Sequence, residues 1–206
     1  MSGKKIGVFG GSFNPIHNGH LMLGGAVCDE LELDQLIFIP AGFPPHKSHE
    51  ILAPAEDRYA MVKLAVTCDR RFSVSRIELD AGETTYTVKT MQAFRDMFCE
   101  TDELFFIMGA DSLVDLVNWW SFKELSSLCT FVAAARPGIP REAMHAEMAR
   151  LSKQHGTRVR AVNMPLMDIS SSEIRRRISL NEDISGLVPM PVASYIARNG
   201  LYGGGK

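Results

Sequence analysis

Short apolar runs alternate along the chain with longer segments of helical periodicity. Predicted strands occupy the apolar runs at 6–9, 36–40, 104–108, 130–134 and 158–162, and the alternating run at 72–79 predicts an edge strand. Predicted helices lie between them at 20–33, 55–68, 86–98, 141–155, 171–178 and 192–198, and the segment at 112–128 is predicted as a helix or a broken helix. Strands that alternate with helices in this way are typical of βαβ units.

The order of these elements predicts the fold class. Because βαβ crossovers are right-handed, the pattern leads to an α/β fold with a doubly wound, mainly parallel, Rossmann-like sheet. The chain of 206 residues shows no internal repeat and no low-complexity linker. We therefore predict a single domain that spans residues 1–206.

Composition and charge narrow the classes of partner. The chain is 46% hydrophobic and 22% charged, which is ordinary for a globular protein. Its formal net charge of −2 argues against a nucleic-acid partner but permits small anionic ligands. The opening MSGKKIGVFGGSF lacks the features of a signal peptide, and no apolar run approaches the ~20 residues that span a bilayer. We expect a cytoplasmic protein with no membrane partner, and the sequence leaves the oligomeric state open, a homo-oligomer included.

The cysteines are spaced too widely for a structural zinc site. Cys28, Cys68, Cys99 and Cys129 include no CxxC pair. They are expected to be reduced, mostly buried thiols. No set of protein ligands for a metal ion is predicted.

The most informative segment follows the first predicted strand and opens the first helix. Gly10 and Gly11 permit a sharp turn and bring main-chain N–H groups close to a ligand. The helix N-terminus that follows suits phosphate. His17 and His20 share a helical face, and Gly19 between them leaves room for a nucleotide. The imidazoles can stabilise charge that develops on a phosphorus atom.

This segment has other interpretations. It is neither a GxGxxG fingerprint nor a Walker A loop. A structural turn that happens to contain histidines, and metal binding by the histidine pair, are the alternatives to phosphate chemistry. The pair behind a strand and a Gly-Gly turn favours phosphate chemistry.

A second candidate site opens the predicted helix at 171–178. Ser170 can cap that helix, and Glu173 completes the pattern of a capping box. A well-capped surface helix with a solvated basic face explains the segment by itself. The same serine hydroxyls and N–H groups can also bind phosphate, with Arg175 forking onto its oxygens.

The two segments together resemble a known superfamily. HNGH at 17–20 matches the HxGH signature of nucleotidyltransferases related to class I aminoacyl-tRNA synthetases, and ISSSEIR at 169–175 resembles their ISSTxIR motif. The longer string GGSFNPIHNGHL resembles the opening of bacterial nicotinate mononucleotide adenylyltransferases, and the resemblance extends from residue 5 to residue 202. That family usually has Asp at the position of Asn14, a small change that is not expected to abolish activity.

The resemblance implies roles for residues on the ATP side. The PPHK segment, the IMGADSL turn and the two signature motifs carry these roles. The implied catalytic residues are His17, His20, Lys47 and Arg175. The implied ATP-binding residues are Gly10, Gly11, Ser12, Phe13, Gly19, Gly109, Asp111, Ile169, Ser171 and Ser172. Asp111 has an alternative role as a helix cap.

The acceptor side is implied by three further segments. The helix start at Thr85, Tyr86 and Thr87 resembles a family segment that binds the nicotinate carboxylate, although Lys89 replaces the family's Asp. Trp119 matches the tryptophan that stacks on the nicotinate ring, and an aromatic face suits a cationic pyridinium. Arg136 belongs to the RPG turn of the family.

The resemblance implies transfer of AMP from ATP to nicotinate mononucleotide, with release of pyrophosphate and with Mg²⁺ bound through the ATP phosphates. Nicotinamide mononucleotide and phosphopantetheine are alternative acceptors. A non-catalytic nucleotide sensor would show degraded motifs, and both motifs are intact. A fragment of a tRNA-acting synthetase would need a basic surface and a further domain.

Overall fold

A computed structural model describes residues 3–42, 52–134, 141–162 and 169–203, and at residues 110, 111 and 141 it describes the main chain only. The strands in these ranges are β1 Lys5–Gly11, β2 Gln35–Pro40, β3 Phe72–Val74, β4 Glu103–Gly109, β5 Thr130–Ala134 and β6 Val159–Val162. They form one parallel sheet in the order β3-β2-β1-β4-β5-β6. The prediction of a doubly wound parallel sheet is confirmed.

Helices connect the strands. They are α1 Asn18–Leu31, α2 Ala55–Ala65, α3 Ile77–Asp80, α4 Thr87–Met97, α5 Ala110–Asp115, α6 Phe122–Leu128, α7 Arg141–His155, α8 Ser171–Ser179 and α9 Met190–Arg198. Short 3₁₀ turns follow α2 and α5. Of the two alternatives predicted for 112–128, the broken helix is the one that forms, as α5 and α6. Among the described residues, no helix is long and apolar enough to cross a membrane.

Both faces of the sheet are covered, which explains why its central strands are almost wholly apolar. Along β4, Phe105 and Ile107 pack into one core layer, and Leu104, Phe106 and Met108 pack into the other. The first layer contains buried residues of α1, α2, α8 and α9. The second contains those of α4, α5, α6 and α7. The strand topology changes direction at β1, where a doubly wound sheet opens a crevice for ligands.

The third strand is shorter than its alternating pattern predicts. β3 lies at the sheet edge as expected, but the chain leaves the strand after Val74. The hydroxyl of Ser75 accepts a hydrogen bond from the N–H of Ile77 at 3.2 Å, a local turn that competes with strand pairing. The segment then forms α3, a single helical turn, so the prediction of a strand to residue 79 is wrong.

A buried arginine ties together the segments that follow β1 and β2. The Arg58 side chain is 1% exposed and shares the inner face of α2 with Met61 and Val62. Its guanidinium donates hydrogen bonds to the carbonyls of Ser12 at 2.9 Å, Gly42 at 3.2 Å and Ala53 at 3.0 Å. Burial lowers the pKa of Arg58 from its usual value. The three carbonyls supply the solvation that water would otherwise provide.

The cysteines divide into two classes. Cys28 and Cys129 are buried, and burial raises the pKa of these thiols to about 11 and about 12 respectively. Cys68 and Cys99 are exposed. The expectation of mostly buried thiols is therefore right for two of the four and wrong for the other two, which lie near the ends of helices.

Replacement of Arg58 by Met is expected to destabilise the protein by about 3 kcal/mol, because it removes the donor from one buried and two partly buried carbonyls. The free energy of unfolding in urea measures the change. Arg70→Met is the matched control, since Arg70 is exposed, and its effect should stay within about 0.5 kcal/mol. Equal stability of the two variants would contradict the role of Arg58.

A maleimide reagent is expected to modify Cys68 and Cys99 in the folded protein and to reach Cys28 and Cys129 only after unfolding, because the thiolate is the reactive species and burial disfavours it. Intact mass and peptide mapping measure the adducts. Rapid modification of Cys129 under native conditions would show that the core opens readily.

Candidate active site

The turn after β1 folds back on itself around a buried ring. Phe13 is buried and adopts a left-handed main-chain conformation with φ of 44°. Its ring meets Phe9 and His20 edge-on, at centroid distances of 5.5 Å and 5.1 Å. Phe13 therefore supports the histidine from beneath, and a direct contact between its side chain and ATP stays a prediction.

The two histidines of the first motif are stacked. Their ring centroids lie 3.7 Å apart at an interplanar angle of 26°. His17 is the N-cap of α1, and its N–H donates a hydrogen bond to Nδ1 of His20 at 3.3 Å. A neutral imidazole that accepts at Nδ1 carries its proton on Nε2. The N-cap contact therefore orients His20 so that Nε2 is its donor.

Gly19 gives the stacked pair its space. A Cβ atom at this position would lie 3.1 Å from Nδ1 of His17, which is closer than ordinary packing allows. The same Cβ would lie 3.8 Å from Cβ of Ile169. Any larger residue would therefore crowd the ring of His17, and the glycine also marks where the second motif approaches the first.

The second motif docks on the turn between β1 and α1. The Ser171 hydroxyl donates a hydrogen bond to the carbonyl of Pro15 at 2.9 Å, and Nη1 of Arg175 donates to the carbonyl of Asn14 at 2.8 Å. These contacts join residues 156 and 161 positions apart. The N-termini of α1 and α8 therefore meet at one place, beside the stacked histidines.

Only half of the predicted capping box forms. The N–H of Glu173 donates to the hydroxyl of Ser170 at 3.2 Å, which makes Ser170 the N-cap of α8. The carboxylate of Glu173 instead pairs with Arg176 at 2.8 Å and Arg177 at 3.0 Å. The exposed Ser172 hydroxyl lies 3.1 Å from that of Ser170, at the mouth of the helix N-terminus.

A polar cluster that the sequence analysis missed lies beneath this junction. Oδ1 of Asn14, which is 1% exposed, accepts hydrogen bonds from the Tyr202 hydroxyl at 2.9 Å and from the N–H of Ala53 at 3.0 Å. Burial raises the pKa of the Tyr202 phenol, and the nearby charges of Arg175 and Arg58 oppose that rise. The burial of Arg58 could have been predicted from the sequence, because its helical spacing places it on the same face of α2 as Met61 and Val62.

An aromatic cavity of about 390 Å³ opens beside the first motif, at the carboxyl ends of β1, β2 and β4. Its lining is mainly apolar and includes glycine main chain. The lining residues are Gly10, Gly11, Ser12, Ile39, Ala41, Glu78, Thr85, Tyr86, Thr87, Thr90, Phe106, Asn118, Trp119 and Trp120. The cavity thus unites part of the predicted ATP side with most of the predicted acceptor side.

The two tryptophans occupy different positions in the cavity wall. Trp119 is half-buried and meets Phe106 edge-on at a centroid distance of 5.9 Å. Trp120 is 52% exposed and lies 4.8 Å from the ring of Tyr86. The break between α5 and α6, with Ser121 at φ of 52°, presents both rings to the cavity.

The first turn of α4 forms the polar wall. Tyr86 is the N-cap of α4, and Thr85 and Thr87 on either side of it line the cavity. The unpaired N–H groups of a helix N-terminus attract anions. The Lys89 side chain points to Glu83 at 3.9 Å, so the departure from the family at this position leaves the helix start intact.

Glu78 is a cavity residue that the sequence analysis did not identify. Thr90 Oγ1 donates a hydrogen bond to Oε1 of Glu78 at 2.8 Å. Burial raises the pKa of this carboxyl to about 7, and the hydrogen bond opposes part of the rise. A carboxyl with such a perturbed pKa in a cleft marks a candidate functional residue.

The remaining predicted site residues fall at the edge of the described regions. Gly109 ends β4 and is the N-cap of α5, so Asp111 lies inside the helix, and its alternative role as the cap is wrong. The Asp111 side chain, Lys47 and Arg136 lie outside the described residues. In the described ranges, no group of three or more His, Cys, Asp or Glu side chains is arranged to hold a metal ion.

Comparison with known proteins identifies relatives over nearly the whole chain. A model of the cytidylyltransferase-like family matches residues 8–177. The probable nicotinate-nucleotide adenylyltransferase of Thermoanaerobacter sp. (strain X514) is 39% identical over 96% of this chain and 94% of its own length. That of Corynebacterium kroppenstedtii is 42% identical over 96% and 90%.

A solved structure shows the same fold. The Plasmodium falciparum nicotinic acid mononucleotide adenylyltransferase complexed with NaAD superposes with a TM-score of 0.79. The match covers 97% of both chains at 20% identity. With the relatives above, these findings show that the chain belongs to the cytidylyltransferase-like family and, within it, to the nicotinate-nucleotide adenylyltransferases.

Proposed function

We propose that the chain transfers AMP from ATP to nicotinate mononucleotide, which yields nicotinate adenine dinucleotide and pyrophosphate for NAD biosynthesis. The observation that carries the proposal is the convergence of the stacked His17 and His20 with the N-terminus of α8, beside an aromatic cavity. One side of this arrangement suits a triphosphate and the other suits a pyridine ring. Adenylyltransferases of this family provide the chemical precedent.

ATP is proposed to lie with its phosphates over the turn between β1 and α1. The N-termini of α1 and α8 both direct N–H groups and partial positive charge to this place. The hydroxyl of Ser172 and the guanidinium of Arg175 extend the donor set from α8, and Ser171, whose hydroxyl donates to the carbonyl of Pro15, joins them through its main-chain N–H. Gly10, Gly11 and Ser12 allow close approach of the main chain.

The acceptor is proposed to occupy the aromatic cavity. Its pyridinium ring stacks on Trp119, and its carboxylate meets the N–H groups at the start of α4. Thr85 and Thr87 flank that position. Because the cavity adjoins the glycines at the end of β1, the acceptor's 5′-phosphate reaches the α-phosphorus of ATP.

The reaction is a displacement in which the protein supplies position and charge. An oxygen of the acceptor phosphate forms a bond to the α-phosphorus, and the bond from that phosphorus to the bridging oxygen of pyrophosphate breaks. His20 donates from Nε2 to the oxygens that gain negative charge, and His17 holds His20 in that orientation. Arg175 offsets charge on the pyrophosphate.

Mg²⁺ is proposed to arrive with ATP and to be held by the phosphate oxygens and water. Mg²⁺ usually keeps several waters and binds through substrate phosphates with few protein ligands. When bound, it neutralises charge on the triphosphate. Lys47 and Arg136 are proposed to add cations from the segments outside the described residues.

The assay that tests the activity is pyrophosphate release from ATP and Mg²⁺, with nicotinate mononucleotide and nicotinamide mononucleotide offered in parallel. In this assay, His20→Ala is expected to lower kcat by about 10²–10³, because a donor to the transition state is lost. His145→Ala, an exposed histidine of α7, is the matched control and should leave kcat unchanged. Turnover with neither acceptor in the unmodified protein would overturn the assignment.

Trp119→Ala is expected to raise KM for nicotinate mononucleotide about tenfold, with KM for ATP unchanged, because the ring platform is removed. Trp120→Ala is the matched comparison. Its ring is 52% exposed, and we expect a smaller effect on KM. A larger effect at Trp120 would assign the platform to the other ring.

A further inference from the structure

Glu78 stands out because it brings a carboxyl group into a cavity that otherwise presents aromatic rings, aliphatic side chains, hydroxyls and an amide. Among the described residues that line the cavity, it is the one that carries a carboxyl group. An acidic side chain at this position is unexpected in a pocket proposed for an acceptor that bears a carboxylate. The surroundings of Glu78 therefore determine whether its carboxyl group attracts or repels the carboxylate of the acceptor.

The fold holds the carboxyl group at the first turn of α4. The hydrogen bond from Thr90 joins α3 to that turn, whose start lines the same cavity. On its other side, α3 is seated against the segment that follows β2. A Cβ atom at Gly42 would lie 2.3 Å from the carbonyl oxygen of Glu78, so only glycine permits this approach.

The charged groups on the same helix are engaged elsewhere. Arg76 pairs with Glu56 at 2.7 Å and with Asp80 at 3.1 Å. Glu78 therefore receives no compensating cation from α3.

The elements packed around α3 also leave the carboxyl without a cation among the described residues. From α4, Lys89 lies 3.9 Å from Glu83, and the phenol of Tyr86 is the other titratable group in the cavity wall. From α2, the guanidinium of Arg58 ends on the carbonyl of Gly42 at 3.2 Å. The lining contributed by β1, β2, β4 and residues 118–120 is uncharged.

We propose that Glu78 determines acceptor specificity: as a neutral acid it donates a hydrogen bond to an anionic headgroup at the start of α4, and as a carboxylate it repels that headgroup. This inference rests on the proposed function, because it takes the cavity to be the acceptor site. An amide headgroup carries no charge and is indifferent to the repulsion. The preference for acid over amide is therefore linked to pH.

The burial of Glu78 determines whether the preference for the acid rises or falls with pH. Burial raises the pKa of Glu78 to about 7, so the neutral form is present below that pH and is lost above it. An anionic headgroup raises the pKa further, because a like charge disfavours ionisation. Binding of the acid acceptor above neutral pH is consequently accompanied by proton uptake.

The test measures the dissociation constants of nicotinate mononucleotide and nicotinamide mononucleotide by calorimetry from about pH 6 to about pH 9. The two ligands share the 5′-phosphate and the pyridinium, so the ratio of their affinities cancels the titration of those groups. In the unmodified protein, the preference for the acid should fall about tenfold per pH unit above neutrality. In Glu78→Gln the ratio should stay constant.

Two further variants sharpen the result. Glu83→Gln, an exposed carboxyl near the same helix, is the matched control and should keep the pH dependence of the unmodified protein. Thr90→Val removes the hydrogen bond that favours the ionised form, so the fall should move to higher pH. Unchanged affinity for ATP in each variant shows that the fold is intact.

Calorimetry of the acid acceptor in two buffers of different ionisation enthalpy measures the proton uptake directly. Uptake should occur at about pH 8 in the unmodified protein and be absent in Glu78→Gln and with the amide.

Identical pH dependence in the unmodified protein and Glu78→Gln would overturn the proposal. So would tighter binding of both ligands at high pH, which would mean that the carboxylate pairs with the pyridinium. Because binding is measured without turnover, a failure of pyrophosphate release would count against the proposed function alone.

Discussion

The charged side chain of Arg58 is only 1% exposed, so the protein itself must supply the hydrogen bonds that water would give it. The edge of the sheet that carries the proposed site depends on those hydrogen bonds. The guanidinium donates its hydrogen bonds to main-chain carbonyls that lie after β1, after β2 and before α2. Each of those segments is irregular and has no sheet partners to hold it. One side chain thus fixes the relative positions of the turn that leads to the histidines and of the segment against which α3 is seated.

At the first motif, too, a single residue joins several segments of the chain. Asn14 presents its amide oxygen to Tyr202 and Ala53 and its main-chain carbonyl to Arg175. The turn that carries His17 and His20 is therefore held from the C-terminal segment as well as from β1. Preorganisation of this kind matters for a displacement in which the protein contributes position and charge and the substrate contributes the nucleophile.

The two halves of the site differ in polarity for a physical reason. On the proposed ATP side, the described residues contribute helix N-termini, glycine main chain and the guanidinium of Arg175, all of which favour phosphate. The proposed acceptor side is walled mainly by aromatic rings, and burial raises the pKa of Glu78, the one carboxyl that the described residues place in that wall. A net charge of −2 is compatible with binding anions because the positive potential is local.

The sequence alone determined the parallel sheet through local periodicity, and its short motifs marked the two signature segments and, through the family resemblance, Trp119. It predicted a strand to residue 79, and that error concealed Glu78, since only the helical turn of α3 directs this carboxyl into the cavity. The stacking of His17 on His20 and the docking of α8 on the Asn14–Pro15 turn were decided by tertiary structure. So was the burial of Arg58, because an amphipathic pattern shows which face is inward but not which carbonyls a charge on that face will meet.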